Sequence, residues 1–384
     1  MNILHISPYV PDLNADHAGG VMMAKEVETL SKKHKVYEMG FINNLNDIKY
    51  AKKFNPETSL FIKSTVLSRI INAILHPSMP IMFGIRNSLT FKKCLVRNIK
   101  KWNIDAIHAD YTSMGQFLWI KKKFPNIKFN ITEHDVVYQS YARKPANLFN
   151  RWQLKLVYRC EKKYCQNADA VFVVSSKDEQ LLKDIYGISK KVYILNPYYG
   201  VDTFGPQGNN KRPNSICFVG NMGRYENDEA AKRLISIFNK INTEKQYELY
   251  IIGANPSAEI KSLSNKSIVV TGFVDNIQRE IDQCEIAVFP LKYGAGVKFK
   301  VLQALSLGLP VVTTNVGAEG IDENGEVIIL AKEEADFSRA ITSLLRNRSR
   351  LKKKSRECAQ WAKTKFDWHI SEGIFQKIYD QKGE

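Results

Sequence analysis

A chain of 384 residues is too long for one ordinary hydrophobic core, and its length predicts two domains. Hydrophobic residues at 44% and charged residues at 25% are typical of a soluble globular protein, and six scattered cysteines without Cys-x-x-Cys spacing predict a reduced compartment and exclude structural zinc. The net charge of +17 suggests an anionic partner, but the chain has no zinc-finger spacing and no aromatic RNA-binding signature, which excludes nucleic acid.

Short β-branched runs alternate with longer amphipathic stretches along the first half of the chain. Apolar residues recur at helical spacing over Gly20–Lys33, which predicts a helix there. Strands are predicted at Asn2–Ser7, Lys35–Phe41, Ser59–Ile62, Ala106–Ala109, Lys128–Thr132 and Ala170–Ser175. The segment 60–100 interrupts this alternation and is predicted to be helical, with apolar residues at Ile62, Val66, Ile70 and Ile74. The alternation is typical of βαβ units around a parallel sheet.

The same alternation begins again after residues 196–214, which are rich in Pro, Gly and Asn and are predicted to be a linker. Strands follow at Ser215–Val219, Glu248–Ile252, Ser267–Thr271, Ile286–Phe289, Pro310–Thr314 and Glu326–Leu330. We therefore predict an N-terminal domain over 1–198, a linker over 199–213 and a C-terminal domain over 214–384, whose final helix is a candidate to cross back to the first domain. The fold class is α/β with two Rossmann-like parallel-sheet domains, and ligands are expected beyond the carboxyl ends of the strands, in a cleft between the domains.

The strongest group of candidate site residues follows the predicted strand that ends at Phe289. A glycine-rich turn comes first, then Lys298 and Lys300, then a helix. Glycines let backbone N–H groups approach an anion, and ammonium groups at a helix N-terminus are unfavourable unless an anion compensates them. The pattern predicts a diphosphate site at Gly294 and Gly296, and the alternative is a plain turn with two exposed lysines.

Polar residues at other strand ends are further candidates. His134 follows a strand of the first domain, where a histidine is well placed to bond a substrate. Asp110 and Asp135, also at strand ends, are candidates for touching the acceptor. In the second domain, Glu319 is a candidate contact to the donor or the acceptor, and Gln303 can bond ribose hydroxyls. A structural His134 and a solvent-facing Gln303 stay open as alternatives. Two more histidines, in strand-like runs, are predicted to lie in or near the core: His5 and His108.

Five stretches of the second half occur in the order of one known family: FVGNMGRYEND at 218–228, YIIG at 250–253, VTGFVDN at 270–276, PLKYGAGVKFKVLQAL at 290–305 and GLPVVTTNVGAEGI at 308–321. This half resembles the C-terminal domain of family-4 retaining glycosyltransferases (glycosyltransferase group 1), which have the GT-B fold. The first half matches more loosely, through Pro8, Gly19–Gly20, Glu133–His134–Asp135 and GVDTF at 200–204. The resemblance covers essentially the whole chain.

The resemblance implies that a nucleotide-sugar donor binds mainly to the second domain. Lys298 and Lys300 match basic positions near the donor diphosphate, where Arg224 assists. His134 resembles a histidine that contacts the donor sugar, and it joins the two lysines as a catalytic candidate. Gln303 matches a glutamate that holds the ribose. The other implied donor contacts are backbone groups near the base and the N-terminal turn beside the phosphates: Phe273, Val274, Gly19 and Gly20.

Two departures from the family pattern concern its pair of glutamates, which fall here on Ala295 and Gln303. A glutamine still bonds a ribose hydroxyl because its amide carries both a donor and an acceptor. An alanine cannot replace a carboxylate near the sugar. The subgroup with this glycine turn commonly lacks the first glutamate, so the pattern remains compatible with activity.

The resemblance implies transfer with retention of the anomeric configuration. Negative charge that develops on the leaving diphosphate would be stabilised by Lys298, Lys300 and the helix N-terminus. No Asp-x-Asp motif lies in a plausible donor loop, so we predict a metal-independent enzyme without a cofactor. The first residues lack a signal-peptide pattern and no apolar run approaches the ~20 residues of a spanning helix, which predicts a cytoplasmic protein.

Positive charge is concentrated in the first half of the chain. Residues 1–200 contain 30 Lys and Arg against 16 Asp and Glu, a net of +14, and the remaining residues have a net of +3. Two segments, Phe61–His76 and Phe91–Trp102, combine apolar stripes with Lys and Arg. They predict an anionic membrane surface as a partner, at the inner face of the plasma membrane. Ordinary solvated or packed helices stay open as the alternative.

The sequence favours a glycosyltransferase that moves a hexose-type sugar from a nucleotide-diphosphate sugar to a glycan or lipid-linked acceptor in cell-surface polysaccharide biosynthesis. A nucleotide-sugar epimerase of the same fold and a non-catalytic nucleotide-sugar-binding subunit stay open as alternatives. A dehydrogenase is disfavoured because Pro8–Tyr9–Val10–Pro11 follows the first strand in place of a Gly-x-Gly-x-x-Gly turn.

Overall fold

A computed structural model describes residues 1–15, 17–208, 211–294 and 296–380. These residues form two compact units. The first comprises Met1–Tyr198 and the chain from Trp368 onward, and the second comprises Tyr199–Asp367. Each unit is built around its own parallel sheet and has its own hydrophobic core.

The first unit contains a seven-stranded parallel sheet in the order β3-β2-β1-β4-β5-β6-β7. Its strands are β1 (Asn2–Ser7), β2 (Lys35–Ile42), β3 (Ser59–Lys63), β4 (Ala106–Asp110), β5 (Lys128–Glu133), β6 (Ala170–Val173) and β7 (Val192–Ile194). The six predicted strands of this half are confirmed, and β7 is an additional strand that is too short to show a periodic pattern. Strands such as β4 are buried along their whole length, as expected for a parallel sheet covered on both faces.

Helices connect the strands of the first unit: α1 (Ala18–Ser31), α2 (Leu45–Ala51), α3 (Val66–Leu75), α4 (Ile81–Gly84), α5 (Leu89–Trp102), a 3₁₀ helix (Thr112–Trp119), α6 (Ile120–Lys123), α7 (Val137–Ala142), α8 (Leu148–Asn167) and α9 (Ser176–Tyr186). The segment 60–100 is therefore helical only in part, because Ile62 belongs to β3. The side chains of Thr65 and Ser88 accept backbone hydrogen bonds at the starts of α3 and α5 and define where these helices begin.

The two segments predicted to face a membrane differ in their packing. The α3 helix buries none of its residues. By contrast, α5 turns its apolar stripe into the core of the first unit through Phe91, Leu95, Ile99 and Trp102. The prediction that Phe91–Trp102 offers an apolar face to a membrane is therefore wrong, because that face is already covered by the sheet and by neighbouring helices.

The second unit contains a six-stranded parallel sheet in the order β10-β9-β8-β11-β12-β13. Its strands are β8 (Ser215–Val219), β9 (Glu248–Ile252), β10 (Ile268–Gly272), β11 (Ile286–Phe289), β12 (Val311–Thr313) and β13 (Ile329–Leu330). All six correspond to predicted strands. β13 begins later than predicted because the backbone N–H groups of residues 326–328 donate to the carboxylate of Asp322 at 2.7–2.8 Å instead of joining the sheet.

The helices of the second unit are α10 (Tyr225–Ile241), α11 (Ala258–Ser262), α12 (Ile277–Asp282), α13 (Phe299–Ser306), α14 (Asn315–Ala318), α15 (Glu334–Arg346) and α16 (Arg348–Phe366). The start of the predicted linker also packs on this unit, where Tyr199 and Val201 are buried against Leu302. Among the described residues, none of the helices combines the length and the apolar character that crossing a bilayer requires.

The last helix, α17 (Trp368–Tyr379), packs on the first unit. The indole nitrogen of Trp368 donates a hydrogen bond to the Thr29 hydroxyl at 2.8 Å. Phe375 and Tyr379 are buried in the same cluster as Ile3 and Phe172 from β1 and β6. The core of the first unit is thus completed by residues from the far end of the sequence.

Candidate functional site

A glycine turn joins β11 to α13 in the second unit. Gly294 and Gly296 adopt φ angles of 130° and 69°, which residues with a side chain rarely adopt. Lys298 immediately precedes α13, and its ammonium donates to the carbonyl oxygen of Gly296 at 2.5 Å. A carboxylate oxygen of Glu319 lies 3.6 Å from the same ammonium. The turn therefore brings together four of the predicted donor-site residues.

Lys300 lies one residue inside α13, and its side chain points toward the core of the second unit. Its ammonium lies 4.8 Å from the ring centre of Phe218 and 5.8 Å from that of Phe289. It donates a hydrogen bond to the side-chain oxygen of Asn227, a buried residue on α10. The ammonium is thus held in a largely apolar surrounding by aromatic faces and a neutral amide.

Arg224 adds a third cation near the glycine turn. Its side chain is 70% exposed and pairs with Glu226 at 2.7 Å. Burial is the main cause that lowers the pKa of Lys300 to about 7, and the positive charges of Arg224 and Lys298 lower it as well. Because burial and like charges make the Lys300 ammonium unfavourable, an anion that bound beside these three cations would stabilise it.

Gln303 is half-buried on α13, and its side-chain amide donates to the carbonyl oxygen of Tyr199 at 2.8 Å. A Cβ atom at Gly200 would lie 3.8 Å from the same amide nitrogen. The structure therefore gives Gln303 a structural contact at the start of the second unit, so the solvent-facing alternative is wrong. Its expected hydrogen bond to a ribose stays a prediction.

The expected contacts to the base lie directly after β10. The ring of Phe273 is 76% exposed, and Val274 packs against the core of the second unit. Backbone groups here are at the carboxyl end of a parallel strand, where such sheets bind ligands. Ala295, where the family pattern has its first glutamate, lies outside the described residues.

The second group of candidate residues lies at the carboxyl edge of the first sheet. The imidazole of His17 accepts a hydrogen bond from the Gly20 N–H at 3.0 Å and caps α1. A Cβ atom at Gly20 would lie 2.5 Å from that of Ala15, and one at Gly19 would lie 1.7 Å from the phenol oxygen of Tyr111. Only glycine fits at these two positions without movement of a neighbour.

Tyr111 connects this turn to the predicted sugar-contacting histidine. Its ring stacks on that of His134, with ring centres 4.0 Å apart and planes 12° from parallel. Its backbone has φ 67°, which is uncommon outside glycine, and its N–H donates to the carbonyl oxygen of Thr132 at 2.8 Å. Burial raises the pKa of the phenol, which keeps it neutral. Tyr111 thus lies in contact with Gly19 on one side and His134 on the other.

Asp110 is fully buried at the end of β4, and its position corrects its predicted role. One carboxylate oxygen lies 2.7 Å from Nε2 of His134, and the other lies 2.5 Å from Nε2 of His5. Burial alone would raise the pKa of Asp110, but the hydrogen bonds from the two histidines outweigh it and hold the pKa well below its usual value. With no access to solvent and both oxygens engaged, Asp110 orients His134 instead of touching an acceptor.

Asp135 differs from Asp110 because it is only half-buried and accepts a hydrogen bond from the Ser140 hydroxyl at 3.2 Å. Contact with an acceptor therefore stays a prediction for this residue. The prediction that His5 and His108 lie in the core is confirmed, since both side chains are fully buried.

Two residues that contact these groups are missing from the sequence-based set. Tyr111 directly follows Asp110 at the end of a predicted strand. An aromatic residue at the carboxyl end of a strand is the sequence signal that could have identified it. Asn227 lies inside the FVGNMGRYEND stretch, but no local pattern indicates that its amide meets Lys300 across 73 residues.

Three side chains of the first unit offer ligand atoms within 4.8 Å of one another, and they are Glu26, Asp110 and His134. Asp110 and His134 are already joined by a direct hydrogen bond, and Glu26 lies 2.7 Å from Nε2 of His108. These atoms are therefore arranged as a hydrogen-bonded network. Metal independence stays a prediction.

Two family models match the chain, one in each half. Glycosyltransferase Family 4 matches residues 56–203, and Glycosyl transferases group 1 matches residues 213–347. Together the two ranges include well over half of the chain. The first range includes His134, and the second includes the glycine turn.

Two curated relatives share sequence with the chain. An uncharacterised 44.6 kDa protein of the cps region of Klebsiella pneumoniae is 30% identical over 249 residues, which are 59% of this chain and 59% of that protein. The chain thus matches less than two thirds of that relative's length. An uncharacterised glycosyltransferase of Methanocaldococcus jannaschii is 21% identical over 286 residues, 69% of this chain and 71% of that protein.

Solved structures share the fold of the whole chain. Sucrose-phosphate synthase of Thermosynechococcus elongatus has a TM-score of 0.71 at 17% identity, with 99% of both chains covered. Anabaena HepE in complex with UDP has a TM-score of 0.72 at 12% identity, with 100% of both chains covered. At these identities the likeness shows the fold alone, which is GT-B. On that fold, the chain combines a Glycosyltransferase Family 4 domain in its first half with a Glycosyl transferases group 1 domain in its second half.

Proposed function

We propose that this chain transfers a sugar from a nucleoside-diphosphate sugar to an acceptor, and that the donor diphosphate binds at the glycine turn after β11. The observation that carries the proposal is the gathering of Lys298, Lys300 and Arg224 at this turn. The positive charges of Arg224 and Lys298 both act on the buried Lys300 ammonium. A phosphate group at the turn would supply the opposite charge, and the start of α13 would add backbone N–H donors.

The proposed reaction breaks the bond between the anomeric carbon and the diphosphate oxygen. The acceptor hydroxyl forms the new glycosidic bond, its proton passes to a phosphate oxygen of the leaving group, and the nucleoside diphosphate leaves. Lys298 and Lys300 stabilise the negative charge of this leaving group, which is the task that a divalent metal performs in other transferases. We therefore propose a metal-independent reaction. Membership of the family favours retention of the anomeric configuration.

A thermal-shift screen with nucleotide sugars tests the donor site, since a ligand that binds the folded state raises its stability. We expect at least one nucleotide sugar to raise the melting temperature, and Lys298→Ala and Lys300→Ala to abolish that shift. Lys352→Ala, at an exposed position on α16, is the matched control and should leave the shift intact. An unchanged shift in both site variants would place the diphosphate elsewhere.

The donor and acceptor are proposed from the relatives. Anabaena HepE is described in complex with UDP-glucose, and a lipopolysaccharide outer core galactosyltransferase, WaaB, shares the fold at a TM-score of 0.64. The Klebsiella relative lies in a cps region. We propose a hexose donor, with UDP-hexoses to be tested first, and a glycan or lipid-linked acceptor in cell-surface polysaccharide synthesis. Product analysis separates transfer from epimerisation, which would convert the donor without an acceptor.

We also propose that the first unit docks on an anionic lipid surface. The docking surface, named here the α3–α8 face, comprises α3, Ile81 at the start of α4 and the first two turns of α8. The α3 helix exposes between 45% and 70% of each of six apolar side chains: Val66, Leu67, Ile70, Ile71, Ile74 and Leu75. The α8 helix adds Leu148, Phe149 and Trp152. Monomeric proteins rarely expose apolar side chains so densely unless the surface meets a partner.

Hydrogen bonds join the parts of the α3–α8 face. The Ile81 N–H donates to the side chain of Gln153 at 2.9 Å, and Arg159 donates to the carbonyl oxygen of Ser78 at 2.9 Å. Positive charge surrounds the face, because residues 58–104 and 136–160 contain no Asp or Glu. Exposed basic side chains at or near it are Lys63, Arg143, Lys144, Arg151, Lys155 and Arg159. Apolar side chains with basic neighbours are suited to a bilayer of anionic lipids.

A further inference from the structure

A chain of buried hydrogen bonds runs across four adjacent strands of the first sheet and ends at His134. Glu38 on β2 lies 2.7 Å from Nδ1 of His5 on β1. Nε2 of His5 lies 2.5 Å from one carboxylate oxygen of Asp110 on β4. The other oxygen of Asp110 lies 2.7 Å from Nε2 of His134, which follows β5. The strand order β2-β1-β4-β5 places these residues in line.

This series of hydrogen bonds is shielded from solvent except at its last residue, His134. His5 and Asp110 are 0% exposed, Glu38 is 4% exposed, and the side chain of His134 is 10% exposed. Ionisable groups are costly to bury, and a buried network is tolerated only when its members satisfy one another. Here the network leads from the centre of the sheet to the ring of His134. That ring stacks on Tyr111, which in turn lies against Gly19 at the start of α1.

We propose that Glu38, His5 and Asp110 form a positioning relay that holds the His134 ring by its Nε2–H and favours its positively charged form. The charged ring would then be available to the sugar of the donor, so this inference rests on the proposed function. Asp110 can only accept, which fixes the proton on Nε2. Stacking on Tyr111 fixes the plane of the ring and leaves Nδ1 as the nitrogen that the relay does not hold.

The electrostatics of the relay agree with its geometry. Burial acts to lower the pKa of His134, but the hydrogen bond and charge of Asp110 outweigh it and raise the pKa above its ordinary value. Glu26 on α1 and Asp135 next to the ring raise the pKa of His134 in the same direction. His5 shows the same balance, in which burial lowers its pKa and Glu38 and Asp110 raise it.

His108 and Glu26 form a second buried branch of the network. Nε2 of His108 lies 2.7 Å from Glu26, and its Nδ1 lies 2.6 Å from the phenol oxygen of Tyr379. Burial lowers the pKa of His108 to about 4 and raises that of Glu26 well above its usual value. His108 is therefore neutral near pH 7, burial favours the neutral form of Glu26, and Asp110 keeps His5 and His134 as its hydrogen-bonded partners.

The test removes the far end of the relay without touching His134. Glu38→Gln keeps the shape and an oxygen that can accept from His5, but it removes a negative charge that supports the protonated His5. We expect the NMR titration midpoint of His134 in protein labelled with ¹³C-histidine to fall by ~0.5 pH unit or more. The alkaline limb of kcat should move to lower pH by a similar amount, because the charged form of His134 is then lost earlier, and KM for the donor should change little.

Controls separate the relay from general stability effects. Glu57→Gln, at an exposed position of the same unit, should leave the His134 titration unchanged. His5→Gln interrupts the relay in its middle and removes a positive charge that shares Asp110 with His134, so it should move the midpoint upward, in the opposite direction, which gives a second reading if Glu38→Gln folds poorly. A midpoint for His134 that is the same in both relay variants and in the wild-type protein would overturn the proposal.

The NMR titration needs no substrate, so the two proposals can fail independently. A shifted His134 midpoint in a protein that transfers no sugar would keep the relay and contradict the proposed function. The opposite result is a protein that transfers sugar, in which Glu38→Gln changes neither the alkaline limb of kcat nor the titration midpoint of His134. That result would keep the proposed function and contradict the relay.

Discussion

The space that a side chain at Gly19 would need is occupied by Tyr111, whose phenol oxygen lies 1.7 Å from the position of the missing Cβ atom. Tyr111 cannot yield easily, because it is half-buried and its ring stacks on that of His134, with ring centres 4.0 Å apart. A change at Gly19 is therefore transmitted through one ring to the histidine that we expect to contact the donor sugar.

Gly19→Ala should reduce kcat/KM for the donor by about 100-fold, since displacement of a catalytic contact by an ångström can cost that much. It should also destabilise the first unit by about 1–3 kcal/mol through overpacking. Steady-state kinetics and denaturant unfolding measure the two effects. Gly373→Ala on α17, where a Cβ atom would meet nothing within 4 Å, is the control and should be neutral or slightly stabilising. Wild-type kinetics for Gly19→Ala would contradict the transmission of this change through Tyr111 to His134.

Donor binding should depend on pH through Lys300. The pKa of its ammonium is lowered to about 7 in the free protein, and a bound phosphate would favour the charged form. Binding above pH 7 must therefore take up a proton, and affinity should fall as the pH rises from 7 to 9. Calorimetry of UDP binding at pH 8, in two buffers with different ionisation enthalpies, measures this uptake.

Lys300→Arg is the matched control for that measurement. A guanidinium stays charged throughout this pH range, so the variant should bind UDP with no proton uptake assigned to this position. Equal proton uptake in the variant and the wild-type protein would show that another group titrates on binding.

Flotation with anionic vesicles checks the α3–α8 face. We expect the wild-type protein to float with the vesicles at low salt and to be released as salt screens its basic residues. Ile70→Asp combined with Ile74→Asp should reduce partitioning by at least about tenfold, because each buried aliphatic side chain contributes about 1.5–3 kcal/mol. Leu45→Asp, at a 77% exposed position on α2, should bind like the wild-type protein. Binding that survives the double substitution would remove the docking proposal.

Gln303→Glu should lower stability even though it restores the residue of the family pattern. The amide nitrogen that donates to the carbonyl oxygen of Tyr199 would be lost, which leaves a buried acceptor facing a carboxylate. The expected cost is about 1–3 kcal/mol, measured as a lower melting temperature. Gln360→Glu, at an exposed position on α16, serves as the control. A variant that melts at the wild-type temperature would show that the Tyr199 contact is dispensable.

Removal of divalent metals should leave the transfer rate unchanged. Lys298 and Lys300 would supply the positive charge at the diphosphate, and Asp110 and His134 are occupied by each other. Rates measured with and without a chelator, and after addition of Mg²⁺ or Mn²⁺, check this. Loss of activity with the chelator and recovery with one metal would make the Glu26, Asp110 and His134 group the first place to look.

The sequence predicts those features of the protein that depend on local patterns. All predicted strands are present, and the glycine turn with Lys298 and Lys300 can be recognised because the turn, the cations and the helix are contiguous. The relay could not be predicted in this way, since Glu38, His5 and Asp110 are brought together only by the register of β2, β1 and β4.

Amphipathic helices show a second limit of sequence patterns. The α3 and α5 helices both carry apolar residues at helical spacing, yet α3 leaves its apolar side chains exposed and α5 buries Phe91 and Leu95 in the core. The spacing predicts that a face is apolar, but the surface that covers this face is decided by the rest of the fold. For the same reason Asp110, predicted at an accessible strand end, lies beneath His134.

The packing of α17 has a consequence for how the protein is made. Trp368 and Tyr379 fill the core of the first unit, and Tyr379 reaches His108 at the centre of its sheet. At ~5–20 residues per second, synthesis of the chain between Tyr199 and Tyr379 takes on the order of ten seconds or more. During that interval the strands made first lack part of their core, so the unit that is translated first is the one that finishes folding last.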